Sequence, residues 1–334
     1  MKQSIRSISK ITGFSPATIS NALNHKKGVN KETSDEIFRV ANEIGYVNDL
    51  KVKRIMLVIY KRDGSIIDNS PFFTNLLEGV ESECRESGFD MIMCNLDRRS
   101  DAYETRIKEI LNDRSTGVII LGTEAMDEDF LRFKDAKCPM VILDSWSTSM
   151  DFNGVLINSS DSAKNAVEYL IRKGHKEIGY LRGRFRIKAF SSRSNGYLRA
   201  LHKYHIAFKE QYVVTLDTAM DGAYRDMLAY LQQKPQLPTA FFADDDMIAL
   251  GAMKALIEKG YRIPEDVSLI GFDDVASCEI STPRLTTIKV FKQEMGQLAV
   301  RRLLDVMRNP NGIKTKTQLC TEFIERDSVK DLTK

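Results

Sequence analysis

The chain is poor in the residues that build covalent or metal-centred scaffolds. Its five cysteines, at positions 84, 94, 138, 278 and 320 of 334, form no CxxC pair, which excludes a disulfide framework and a cysteine zinc site. Of 4 histidines, His202 and His205 stand one helical turn apart with no third ligand nearby, so they read as exposed helix residues and no metal is expected. Long apolar runs are absent too. None approaches the ~20 residues of a membrane-spanning helix, and MKQSIRSISKITGFSPATIS lacks the apolar core of a signal peptide. These absences predict a cytoplasmic protein with no membrane partner. No G-x-G-x-x-G follows a strand and no G-x-x-x-x-G-K-[ST] occurs, so neither glycine-rich nucleotide cradle is present and no cofactor is expected.

What remains is ordinary for a packed protein: 43% apolar and 28% charged residues, in a length that suits two or three domains. The net charge of +3 is unevenly placed. Residues 1–54 carry ten Lys and Arg against five Asp and Glu, whereas the remainder is slightly acidic. A basic module on a near-neutral body suggests a polyanionic partner, although a solvated charged face has the same composition.

Within that module Ser4 is placed to cap a helix bearing Ile5, Ile8 and Ile11, and Gly13 suits its left-handed end. Ser15-Pro16 is an N-cap followed by the N1 proline of a second helix. Asn30 caps a third, with Ile37, Val40, Ala41 and Ile44 on one side and Gly45 at its end. Helix, tight glycine turn, helix and supporting helix is the helix-turn-helix arrangement. Ile19, Ala22 and Leu23 face inward, leaving Pro16, Ala17, Thr18, Ser20, Asn21 and Asn24 outward. Short side chains let a helix sit deep in the major groove, where Asn pairs with adenine and small apolar groups meet thymine methyls. A three-helix protein-docking module has the same periodicity.

From Ile55 the pattern alternates short apolar runs (IMLVIY, FDMIMC, GVIIL, MVILD, IGYL, TAFFA, VSLIGF) with amphipathic stretches, which predicts two α/β units with parallel sheets and helices on both faces. Ligands of such sheets bind outside the carboxyl ends of the strands, here in a cleft between the units. Asp244-Asp245-Asp246 follows TAFFA directly and Asp273-Asp274 follows VSLIGF. Carboxylates there can cap helices, perform acid–base chemistry, hold a metal or accept hydrogen bonds from sugar hydroxyls.

The stretch SIRSISKITGFSPATISNALNHKKGVNKETSDEIFRVANEIGY resembles the DNA-binding headpiece of the LacI/GalR family of bacterial repressors in its FSPATISNALN, VNKET and GY elements. The segments LIRKGHKEIGY, RSNGY and FFADDDMIALGAMKALIEKGYRIPEDVSLIGFDDVASCEISTPRLTT resemble that family's regulatory domain, so the likeness spans the chain. It implies a small all-α helix-turn-helix domain joined to a two-lobed α/β domain like a periplasmic binding protein. The expected boundaries are a headpiece over 1–47, a basic linker over 48–54, and an effector and dimerisation domain over 55–334. Its first lobe would comprise 55–157 and 289–315, and its second 158–288 and 316–334.

By this resemblance Pro16, Ala17 and Asn21 read bases of double-stranded operator DNA. Ser15, Thr18, Ser20, Asn24, Asn30, Lys51, Lys53 and Arg54 meet phosphates. Arg193, Asp245 and Asp273 bind the effector, with Phe72, Phe73 and Trp146 as flat walls. The implied protein is a homodimeric transcriptional repressor, with no catalytic residues, controlled by a small carbohydrate. A co-repressor-type regulator answering to a purine or a phosphoprotein is the alternative, and a sugar-processing enzyme a more distant one. Two departures stand out. The family's usual Asn is Asp at 245, and Gly45-Tyr46 is followed by VNDLKVKR with no A-R-S-L hinge helix, leaving Leu50 or Val52 as substitute minor-groove wedges.

Overall fold

The computed structural model describes residues 4–23, 28–44, 52 and 54–334. The chain divides into two compact units, Met1–Lys53 and Arg54–Lys334. The first contains α1 (Ile5–Thr12), α2 (Pro16–Leu23) and α3 (Lys31–Glu43). Gly13 ends α1 with φ 75°, a left-handed value that costs glycine nothing. The Ser15 hydroxyl accepts from the Thr18 N–H at 3.1 Å and Asn30 Oδ1 from the Thr33 N–H at 2.8 Å, so two of the three expected caps form, whereas the Ser4 side chain makes no cap hydrogen bond to α1. Ile8, Ile19, Ala22, Leu23, Ile37, Val40 and Ala41 make the core. Ile11 does not join it and is 58% exposed. Steps of three residues on a helix rotate the side chain by about 60° each, so Ile5, Ile8 and Ile11 drift off a single face.

The second unit runs β1 (Arg54–Lys61), α4 (Phe72–Glu86), β2 (Asp90–Asp97), α5 (Tyr103–Asn112), β3 (Thr116–Leu121), α6 (Asp127–Leu131), β4 (Met140–Leu143) and β5 (Asn153–Ile157). It continues through α7 (Ser159–Arg172), β6 (Ile178–Gly183), α8 (Lys188–Lys203), β7 (Val213–Leu216), α9 (Met220–Gln232), β8 (Ala240–Ala243), α10 (Asp246–Glu258) and β9 (Ser268–Ile270). It closes with α11 (Ser277–Ile280), β10 (Thr287–Lys289), α12 (Lys292–Arg308), β11 (Lys316–Leu319) and β12 (Glu322–Ile324).

Three sheets result: a parallel one ordered β11-β5-β4-β3-β1-β2 in the first lobe, a parallel one ordered β7-β6-β8-β9 in the second, and a two-stranded antiparallel pair of β10 and β12. Strands buried on both faces explain the continuous apolar runs of the sequence, as in β3, where all six residues are buried. The chain passes between the lobes after β5, after β10 and after β11. The assignment of 316–334 to the second lobe needs correction, because β11 pairs with β5 at the edge of the first sheet. Its half-exposed residues carry no buried-strand signature, so only the pairing reveals it.

Helices α4 and α12 cross closely on the first lobe, and glycines make the approach possible. A Cβ on Gly79 would lie 2.0 Å from the Gln293 carbonyl oxygen, and one on Gly296 would lie 2.4 Å from that of Leu76. Gly79→Ala therefore sets about 1 kcal/mol of helix propensity against an overpacking cost of about 3 kcal/mol. A net loss of about 2 kcal/mol is expected in urea unfolding.

Candidate functional site

In the first unit the outward face of α2 presents Pro16 and Ala17 exposed, with Thr18, Ser20 and Asn21 partly so. The Ser15 and Thr18 hydroxyls lie 2.8 Å apart at the helix start. The side-chain oxygen of Asn30 is spent on its cap, leaving its amide group for other partners. Arg54 is exposed at the start of β1, whereas Val52 is buried, which speaks against Val52 as a wedge. Asn24, Leu50, Lys51 and Lys53 lie outside the described residues.

In the second unit the carboxyl ends of β8 and β9 bring Arg193, Asp245 and Asp273 together. Arg193 comes from the second turn of α8, and its guanidinium lies 3.6 Å over the Phe272 ring. Its Nη2 donates to Asp273 Oδ1 at 3.1 Å and its Nη1 to the Asp244 carbonyl, while Nε is buried without a partner. Arg193 and Asp273 thus form a buried ion pair. Asp245 caps α10, its Oδ1 accepting from the Ile248 N–H at 2.8 Å. Asp244 is structural, since its carboxylate accepts from Tyr180 Oη, the Gly183 N–H and Arg186. Asp246 accepts from the Thr287 hydroxyl and, at 3.0 Å, from the Val275 N–H, tying α10 to the segment after β9. Among the described residues no group of His, Cys, Asp and Glu is placed to hold a metal.

A residue the sequence reading passed over completes the arrangement. Asp144 follows β4 of the first lobe, accepts from the Thr123 hydroxyl at 2.6 Å and is within electrostatic reach of Asp273 and Arg193 of the second. The signal was available, because Asp144 follows MVIL as Asp244 follows TAFFA. Asp144, Asp273 and Asp274 have φ of 58°, 111° and 52°, a region side chains rarely adopt and one where strain collects at functional sites. Lys292, from α12, donates to the carbonyls of Asp273 and Asp274, fixing that turn from the first lobe.

The carboxylates are crowded. Burial pushes Asp144 up to about 7, with the Asp273 charge adding to it. Burial and then the Asp273 charge also push Asp246 up to about 7 and raise Asp245 well above the usual carboxylate range. Asp273 is itself raised by burial, against the pull of Arg193.

The aromatic candidates differ in position. Phe72 and Phe73 begin α4, both buried, with ring centroids 5.2 Å apart, and the Lys292 ammonium lies 5.6 Å from the Phe72 ring. Trp146 is half-buried beneath Lys188, 4.7 Å away, and walls a cavity of about 120 Å³ with Asn158, Ser160, Ser192 and Lys316. The structure does not bring Trp146 and the two phenylalanines into one ring contact.

Comparison with known proteins agrees with this architecture. Residues 167–329 match the periplasmic binding protein-like domain family. The chain is 30% identical to a probable HTH-type transcriptional repressor, ExuR, of Bacillus subtilis, over 98% of this chain and 99% of the relative. It is equally identical to the HTH-type transcriptional repressor PurR of Photorhabdus laumondii, over 98% and 97%. A LacI family transcriptional regulator from Enterococcus faecium, solved with bound ribose, superimposes with a TM-score of 0.69 at 26% identity, covering 83% of this chain and 99% of that one. A helix-turn-helix unit followed by a two-lobed binding-protein fold defines a ligand-sensing DNA-binding regulator. The chain belongs to the LacI/GalR family and is a transcriptional repressor, not an enzyme. No described helix is long and apolar enough to cross a membrane.

The raised Asp144 makes stability depend on pH. Between the unfolded value near 3.8 and the folded value of about 7 the folded chain binds more protons than the unfolded one, so this group's contribution declines as pH rises through that window. Asp144→Asn removes the decline. Its melting temperature should exceed the parent's at pH 8, and the gain should vanish near pH 4.

Proposed function

We propose that the chain is a homodimeric repressor that acts in the cytoplasm, binds double-stranded operator DNA through α2, and is controlled by a small neutral carbohydrate held between the lobes. The observation that carries the effector reading is the convergence of Asp144, Asp245, Asp273 and Arg193 from both lobes on one cleft. A sugar hydroxyl accepts from a guanidinium and donates to a carboxylate at once, so alternating donors and acceptors suit a polyol. The excess of carboxylates over Arg193 disfavours an anionic ligand. The ribose bound to the Enterococcus faecium relative supports the same reading. The relatives named PurR favour a purine instead. Control follows if the ligand binds one arrangement of the lobes more tightly than the other.

The domain plan that goes with this is a headpiece of residues 1–47 and a regulatory domain from residue 55 onward. The base-reading role falls to Pro16, Ala17 and Asn21, and the phosphate role to Ser15, Thr18, Ser20, Asn24, Asn30, Lys51, Lys53 and Arg54. Phe72, Phe73 and Trp146 supply apolar walls for the ligand.

Thermal shift of the full chain against a panel of sugars, including D-ribose, and purine bases tests the effector class. A ligand at one hundred times its Kd stabilises the folded state by about 2.7 kcal/mol. A sugar should raise the melting temperature, and Asp245→Asn should change which sugar does so. A shift with purines alone overturns the carbohydrate reading.

For the headpiece, Asn21→Ala should weaken binding to an operator selected from random DNA by about 1–3 kcal/mol while scarcely changing affinity for unrelated DNA at the same salt. Fluorescence anisotropy reads both, and an equal loss on the two DNAs removes Asn21 from base reading.

A further inference from the structure

Two contacts of opposite sense link the lobes at the mouth of the cleft, each placing a cation of one lobe over a ring of the other. The Arg62 guanidinium, just past β1 of the first lobe, lies 4.3 Å over the Phe185 ring of the second and donates to the Arg186 carbonyl at 2.6 Å. Lys188, at the start of α8 in the second lobe, lies over Trp146 of the first, and donates to Asp127 Oδ1 at 2.9 Å and the Trp146 carbonyl at 2.6 Å. A third link runs from the Thr218 hydroxyl to the Ser65 carbonyl at 3.2 Å.

The segment bearing Arg62 and Ser65 is shaped by one carboxylate. Glu124 is fully buried, and its Oε2 accepts from the N–H groups of Arg62, Asp63 and Gly64 at 2.9, 3.1 and 2.9 Å. Its Oε1 accepts from those of Ile66 and Ile67 at 2.9 and 3.2 Å. Gly64 has φ 84°, and a Cβ there would fall 2.3 Å from Asp68, so the turn requires glycine. Strand order reverses between β1 and β3, which is where an open sheet offers a ligand crevice. Here the chain's own Glu124 occupies that crevice. On the other lobe the receiving loop connects to the cleft. Arg186 pairs with the Asp244 carboxylate, whose backbone carbonyl accepts from Arg193.

We propose that residues 62–67 form a strap, set by Glu124 and fastened by Arg62, that holds the lobes together. A ligand enters the cleft when the strap is unfastened, and the state of the strap reaches Arg193 through Arg186 and Asp244. The inference goes beyond the carbohydrate reading and does not depend on which ligand binds.

The test is pulsed electron–electron distance measurement on the ligand-free full chain, with Cys94 and Cys320 replaced by Ser and spin labels at Lys108→Cys on the first lobe and Ala229→Cys on the second. Arg62→Ala and Glu124→Gln should each raise the long-distance fraction at least threefold over the parent, with Arg62→Lys between. Circular dichroism checks that Glu124→Gln is folded, and Arg62→Ala, altering a half-exposed side chain, decides the matter if it is not. Distributions for Arg62→Ala that superimpose on the parent's overturn the proposal. Because no sugar is added, a failure of the carbohydrate reading leaves this outcome unchanged.

Discussion

A guanidinium removed from water has to be met by oxygen atoms on nearly every side, and Arg193, at 3% exposure, is met by the Asp273 carboxylate, the Asp244 carbonyl and the face of Phe272. That requirement organises its surroundings. Asp273 has to leave β9 with a left-handed backbone, which the lysine of α12 stabilises by binding the carbonyls of Asp273 and Asp274. Asp244 has to hold its own carboxylate back, toward Tyr180, Gly183 and Arg186, so that its carbonyl faces Arg193. Among the described residues the remaining acids, Asp144 and Asp245, form no salt bridge of their own. Burial, and after it the Asp273 charge, then oppose their ionisation. The cleft thus holds more carboxyl groups than its arginine can pair with, and burial resists their ionisation.

The headpiece was largely legible from the sequence because its determinants are local. Caps at Ser15 and Asn30, the glycine at 13 and the inward Ile19, Ala22 and Leu23 all act within a few residues, and each is found as expected. Ile11 shows the limit of that reading, since a run of i, i+3 steps looks periodic in a list and drifts on a cylinder. In the body the alternation of strands and helices was equally plain, as were the acids after β8 and β9. The residues that went unnoticed share one property. Asp144, Glu124, Arg62 and Lys188 acquire meaning only from partners about twenty to more than a hundred positions away. No window of sequence contains both members of such a pair. β11 is the same case in backbone form, an edge strand with little apolar pattern, recognisable only by its partner β5.

The two units place their specificity in different chemical currencies. The outward face of α2 is built from side chains short enough to approach a groove, and most of its information lies in hydrogen-bond direction. The cleft of the second unit works with full charges in low dielectric, where a single protonation or displaced oxygen alters the balance. A fold of this kind hosts many ligands, so identity resides in the few side chains at the strand ends rather than in the sheets that carry them.

The threefold passage of the chain between the lobes also governs the order in which they can be made. The second sheet is complete once β9 has been synthesised, but α4 lacks its partner α12 until Arg308 has been made, and the first sheet lacks β11 until Leu319 has. From the end of β5 to that point is a stretch of about 160 residues, or roughly 8 to 30 s of synthesis at ~5–20 residues per second. For most of that interval the apolar side of α4 that α12 will cover is bare on the nascent chain. The lobe begun first is therefore finished last, and the length of its exposure is set by the rate of translation.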